Sequence, residues 1–232
     1  GRDLPEKLLT AITPVLDGIS GDETSVVSLM SVKDADGNPD LKAILSSCVL
    51  AGIHNHNAGC IETLYGDAYG LEREVIRDAH SFATVIDACG KSGHGDIGAE
   101  LCLRYGKDLP LAWEMTRKHR LDVIAAVRSA EKQNAAGIYE VDSVDLASDV
   151  ADALSCRLIP EAPVAVIVKD GSVCRISARC PETVGRDLGK ALHTLAQSCG
   201  GSGGGHRTRA GATIPCDKAD AFKKGWPEAV AA

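Results

Sequence analysis

Along the first ~135 residues the apolar positions recur at helical spacing. Asp22-Glu-Thr-Ser-Val-Val-Ser-Leu-Met30 opens on a capping acid and carries an apolar stripe, which predicts a helix. The run Asp34-Ala-Asp-Gly-Asn-Pro39 is a turn, and it hands over to a second helix from about Asp40 to Ala51. Between Arg77 and Cys89, the residues Ala79, Phe82, Ala83, Val85 and Ile86 fall on one helical face. The longest helical span is Asp108 to Gln133, with Leu111, Met115, Leu121, Ile124, Ala125 and Val127 on its apolar side.

From Ala136 the period shortens. Gly137-Ile-Tyr-Glu-Val141 predicts a strand, and Asp145 to Cys156 a short helix. Val164 to Val168 and Val173 to Ala178 flank Asp170-Gly171, the pattern of a β-hairpin. An amphipathic helix over Val184 to Ser198, a glycine-rich loop, a strand ending at Pro215 and a helix around Asp217 to Lys224 complete the order. The expected class is α+β. A mostly helical connector or insertion segment (residues 1–135) precedes a C-terminal mixed-sheet α/β domain (residues 136–232).

Composition narrows the function classes. With 44% hydrophobic and 25% charged residues, the chain reads as a globular, soluble protein, and no apolar run approaches the ~20 residues of a membrane span. Nine cysteines without a Cys-x-x-Cys pair argue against a zinc site or a disulfide framework; they read as small buried hydrophobes in a reducing, cytoplasmic setting. The net charge of −7 argues against a generic nucleic-acid coat, but it is unevenly spread. From Pro163 onward ten Lys/Arg face six acids, about +4, whereas the preceding part has fifteen against twenty-six, about −11. The basic half is the half suited to an anion. Only 3% of residues are aromatic, so few platforms exist for stacking bases.

The chemistry-bearing stretch is Cys199-Gly-Gly-Ser-Gly-Gly-Gly-His-Arg-Thr-Arg-Ala-Gly211. It holds six glycines, one histidine and two arginines. Glycine lets a backbone approach a ligand closely, and successive amides can form an anion-binding nest. Gly203, Gly204 and Gly205 supply that backbone, and His206, Arg207 and Arg209 add donors suited to phosphate oxygens. The structural alternative is a flexible linker, but an apolar strand follows at once. Ser177 and Arg179 share one face of a strand end by period-2 alternation. Convergence of Arg179 with His206 on one phosphate is one reading; an arginine satisfying a surface acid is the other.

Other motifs fall short. Gly90-Lys-Ser92 resembles the end of a phosphate-binding Walker loop, but Val85 stands where its leading glycine belongs. His54-x-His56 has no third ligand at metal spacing and reads as a solvated loop.

Ser177-x-Arg179, a helix, then Gly203-Gly-Gly-His206-x-x-x-Ala-Gly211 resembles the DHH-associated domain of DHH-superfamily phosphoesterases. Leu64-Tyr-Gly-Asp-Ala-Tyr69 and Ile76 to Lys91 are similar to the segment that archaeal RecJ-like proteins carry ahead of that domain, and Gly137 to Asp142 fits the domain's opening. The resemblance implies that His206 and Arg179 are substrate-phosphate ligands, beside Ser177, Arg207, Arg209 and the three glycines. It implies single-stranded nucleic acid or a short oligonucleotide as partner, with a replication factor as a second partner. It also implies Mn or Mg in a catalytic domain bearing Asp-His-His. This sequence contains no Asp-His-His, so no cofactor and no catalytic residue are expected in it, and the chain alone is expected to be inactive. The alternatives are a non-catalytic replisome interaction module of the GINS-associated type and a module acting on small oligonucleotides or cyclic nucleotides. The related tRNA-contacting domain of alanyl-tRNA synthetases is a further comparison, but the paired zinc motifs of the editing proteins are not found.

Overall fold

A computed structural model of the chain describes residues 2–53, 66–133, 137–157 and 162–231. The His54-x-His56 pair and Leu64-Tyr65 lie outside these residues. The chain divides into two compact units, one of residues 1–54 and 58–125, the other of residues 55–57 and 126–232.

The described part of the first unit is helical. It contains α1 (Leu4–Leu9), α2 (Glu23–Ser31), α3 (Leu41–Ile53), α4 (Ala79–Lys91), α5 (Gly95–Cys102) and most of α6 (Leu109–Glu131). The acids that the sequence places ahead of these runs act as caps. Asp22 accepts from the amides of Thr24 and Ser25 at the start of α2, Asp40 from Lys42 and Ala43, and Asp78 from Ser81. Each satisfies amides that have no partner within the helix. The hydrogen bonds from Ser81 hold the Asp78 carboxyl below its ordinary value. Two apolar clusters result. One joins Leu8, Leu9, Leu16, Ile19, Val26 and Ile44; the other joins Ile76, Val85, Cys89, Ile97, Leu101 and Ala112. Helices α1 and α5 are additions to the sequence expectation.

The second unit is built on one five-stranded sheet. Its strands are β1 (Ile138–Glu140), β2 (Val164–Asp170), β3 (Val173–Arg179), β4 (Ser202–Gly205) and β5 (Arg209–Pro215), in the order β1-β2-β3-β5-β4. Only β1–β2 is parallel, so the sheet is mixed as expected. The hairpin closes through Gly171-Ser172, where Gly171 has φ +63°, a conformation that costs glycine little. Gln133 closes the outer edge of β1. Its side-chain amide donates to the Glu140 carbonyl at 2.8 Å, and its Oε1 accepts from the Glu140 amide at 2.9 Å.

Alternation along the strands sends Ala165, Ile167, Cys174, Ile176, Ala178, Ala210, Ala212 and Ile214 to one face. There they pack under α8 (Leu188–Ser198) and α9 (Ala219–Ala231), with Leu188, Leu192, Phe222 and Trp226 completely or almost completely buried. Helix α9 continues through Gly225-Trp-Pro227, seven residues beyond the expected end at Lys224. Burial of Trp226 holds that segment in place, and Gly225 packs so near Leu195 that an added Cβ would lie 2.7 Å from its Cδ1. The opposite face carries Val164, Val166 and Val168 beneath α7 (Ala147–Arg157), which packs on β2 and β3.

The cysteine expectation is met in part. Cys48, Cys89, Cys174, Cys180 and Cys199 are free and buried, Cys102 is exposed and Cys216 is half-buried, whereas Cys156 is disulfide-bonded.

Candidate functional site

The glycine-rich segment differs from the expected loop. Ser202–Gly205 is the edge strand β4, paired antiparallel with β5 through Gly203–Ala212, Gly204–Gly211 and Gly205–Ala210. Its three central glycines have different surroundings. An added Cβ on Gly203 would come within 2.8 Å of Ala212 Cβ and 3.1 Å of Ala196 Cβ, so this glycine lets β4 lie against α8. Gly205 has φ +151°, and a Cβ there would fall 2.4 Å from the Arg209 carbonyl oxygen. Gly204 meets nothing within 4 Å. Helix α8 clamps the segment from beneath. The His193 Nδ1 lies 2.9 Å from the Gly203 carbonyl, and the amides of Leu188 and Gly189 donate to the Arg207 and His206 carbonyls at 3.0 Å each. The first turn of α8 is thereby satisfied by protein groups, Lys190 by Asp187 at 3.1 Å.

Cross-strand pairing arranges the α7-side face in rows. One row runs Val164, Arg179, Arg209; the next Val166, Ser177, Gly211, Gly204; the third Val168, Arg175, Thr213, Ser202. Helix α7 covers the β2 end of these rows. Towards β4 a groove of about 540 Å³ opens, walled by Val144 and Ala147 on one side and floored by Ser177, Gly204, Gly211 and Thr213. The middle row carries no side chain beyond Ser177, so the backbone itself is the floor.

His206 and Arg179, twenty-seven residues apart, come to the same end of the sheet. Arg179 pairs with Arg209 across β3–β5, and the His206 amide donates to the Arg209 carbonyl at 2.7 Å. The His206 side chain is exposed and makes no hydrogen bond among the described residues. Arg207 is exposed and donates to the Gly185 carbonyl at 3.3 Å.

Arg179 is held more tightly than a free ligand would be. Its Nε and Nη2 grip Asp152 of α7 in a two-pronged pair at 2.7 and 3.0 Å, Nη2 also donates to the Ser148 carbonyl, and Nη1 donates to the Ala178 carbonyl. Its side chain is only 11% exposed. Arg209 Nη2 lies 3.0 Å from the same carboxylate, but its side chain is 65% exposed. One Asp152 carboxylate therefore receives three charge-assisted contacts from two guanidinium groups. The sequence reading missed Asp152 and His193. Asp149 and Asp152 both follow Ser148 on one short helix, and nothing in the chain distinguishes which acid meets Arg179. His193 lies among polar residues of α8 with no motif around it.

Among the described residues no three His, Cys, Asp or Glu side chains converge as a metal site, so no step is assigned through a metal on these residues. No helix among them is long and apolar enough to cross a membrane.

The match to a protein family falls on this unit. Residues 133–231 match the DHHA1 domain family. Over these residues the chain is similar to DHHA1 domains. This assigns the sheet, with its β4–β5 turn, to the C-terminal region of the DHH superfamily. The chain is 26% identical over 167 residues to an uncharacterized protein of Methanocaldococcus jannaschii, covering 71% of this chain and 38% of that relative. Among solved structures it is similar in fold to CDC45 from Entamoeba histolytica (13% identity, TM-score 0.55), with 99% of this chain and 55% of that one covered. It is also similar to RecJ from Thermus thermophilus, solved with Mn2+ (15% identity, TM-score 0.50), with 98% of this chain and 32% of that one covered. The chain thus spans between about a third and about half of the length of these proteins.

Proposed function

We propose that the DHHA1 domain of this chain holds a phosphate of single-stranded nucleic acid or a short oligonucleotide, and presents it to a metal-dependent phosphodiesterase centre on another domain. The observation that carries the reading is the end of the sheet where His206, Arg209 and Arg179 meet beside a backbone-floored groove. Its exposed donors are the His206 imidazole and the Arg209 guanidinium. Arg179 is tied to Asp152, with one Nη1 hydrogen uncommitted, and its share is chiefly the positive charge it adds beneath the site. Two arginines against one carboxylate leave this end net positive. Ser177, Gly204 and Gly211 let the ligand backbone approach the sheet, whereas Gly203 and Gly205 are taken up by packing against α8 and β5. Arg207 contributes long-range attraction from the turn.

The fold likeness to RecJ and CDC45 fits a nucleic-acid role, and exonuclease action belongs to a parent enzyme carrying the metal-binding half. The chain alone binds and does not cut. Fluorescence anisotropy with a 5′-phosphorylated single strand tests the reading. Affinity falls steeply with salt, and His206→Ala and Arg209→Ala each weaken binding about tenfold at constant thermal stability. Metal-dependent hydrolysis by the purified chain, or binding indifferent to both substitutions, contradicts it. Capture of a protein partner that survives His206→Ala is the signature of the interaction-module alternative.

A further inference from the structure

The groove holds a set of polar side chains that the His206 end does not use. On the sheet row beyond Ser177–Gly211–Gly204, the strand pairing sets Arg175 beside Thr213 and Thr213 beside Ser202. All three border the groove. Neither hydroxyl makes a hydrogen bond among the described residues. Arg175 makes one, from Nε to Asp170 at 2.7 Å, within a pair whose side chains are 55% and 43% exposed. An exposed pair of this kind is held weakly and exchanges readily. Arg179, on the same face of the same strand, is committed to Asp152 and nearly buried. Strand β3 therefore carries a fixed arginine at one end and an available one four residues away.

We infer that this row is a second phosphate subsite: Arg175, with the Thr213 and Ser202 hydroxyls beside it, takes a further phosphate of the strand whose first phosphate is held at the His206 end. The inference rests on the reading above. Four strand residues span ~13 Å. A mononucleotide does not bridge that distance, and an extended strand of three nucleotides does. Between the two subsites lies the row of Ser177, Gly211 and Gly204, which has no bulk to obstruct the intervening sugar and phosphate. Val144 and Ala147 form the apolar wall against which a sugar or base edge rests. The chemistry selects an oligonucleotide over a single nucleotide. It also gives Asp170 a role, since its carboxylate competes with the incoming phosphate for Arg175.

The test compares thymidine 5′-monophosphate with the 5′-phosphorylated thymidine trinucleotide, titrated into the full 232-residue chain by calorimetry at several salt concentrations. Arg175→Ala weakens the trinucleotide about tenfold, leaves the mononucleotide unchanged, and reduces the salt slope for the trinucleotide by about 0.7, the value for one phosphate contact on a single strand. Asp170→Asn tightens the trinucleotide alone. Equal affinity of wild type and Arg175→Ala for the trinucleotide overturns the inference, and so does an equal loss for both ligands. Binding of neither ligand by the wild type removes the subsite and the parent reading together. A trinucleotide affinity that depends on Arg175 but not on His206 removes the parent reading and leaves the subsite standing.

Discussion

The two faces of the five-stranded sheet use the same small residues for opposite ends. On the face under α8 and α9, Gly203 and the alanines of β5 are small because a helix or a neighbouring strand fills the space. On the other face Gly204 and Gly211 are small and the space above them stays open. A glycine count does not separate packing from ligand access; what a Cβ would meet does. The arginines of β3 repeat the contrast, with Arg179 held by Asp152 and Arg175 held loosely by Asp170.

Substitutions within β4 break the comparison most severely. Gly205→Ala places a Cβ against the Arg209 carbonyl at a φ that side chains rarely adopt, and is expected to cost about 3 kcal/mol or more, read as a fall in the urea midpoint. Gly204→Ala, its neighbour, changes stability by no more than about 0.5 kcal/mol while weakening oligonucleotide binding. Equal destabilisation by the two alanines ends the distinction.

Next comes the buried pair. Among the described residues, Arg179→Ala leaves Asp152 with only its exposed Arg209 ion pair, and it is expected to cost about 2 kcal/mol. His206→Ala costs nothing measurable. The sequence left two readings of Arg179 open, a phosphate ligand or an arginine satisfying an acid, and the structure shows it paired with the acid Asp152. A double-mutant cycle of Arg179→Ala with Asp152→Ala isolates the coupling.

On the packed face, burial together with the neighbouring Cys216 pushes the Cys174 thiol up to about 11. It therefore stays protonated at pH 8, and mass spectrometry after brief iodoacetamide treatment of the native chain is expected to show Cys102 alkylated before Cys174.

The smallest effect lies in the helical unit. The Asp78 carboxyl is lowered in the folded state, so its contribution to capping α4 is complete above the ordinary carboxylate value of ~4 and is lost as pH falls through the lowered value. The stability difference between wild type and Asp78→Ala, about 1 kcal/mol at neutral pH, shrinks in that acid window.

Much of this fold was legible in the chain, for identifiable reasons. Asp22, Asp40 and Asp78 announce their helices because capping is a local interaction, and the hairpin announces itself through Asp170-Gly171 and alternating valines. The end of α9 was not legible, because Trp226 finds its place only against residues distant in sequence. For the candidate site the sequence names residues, His206, Arg209, Arg179 and the glycines, but not their arrangement. That Ser202–Gly205 forms an edge strand depends on pairing with β5, and that Asp152 claims Arg179 depends on α7 crossing β3. Neither relation leaves a local signature.

The central claim is that the β4–β5 end of the sheet recognises phosphate. The most direct measurement is the affinity of the chain for one short thymidine oligonucleotide with and without its 5′-phosphate, in wild type and His206→Ala. A phosphate preference of about tenfold or more in the wild type, abolished in His206→Ala at an unchanged melting temperature, is the result predicted. Equal binding of the two oligonucleotides by the wild type would contradict it.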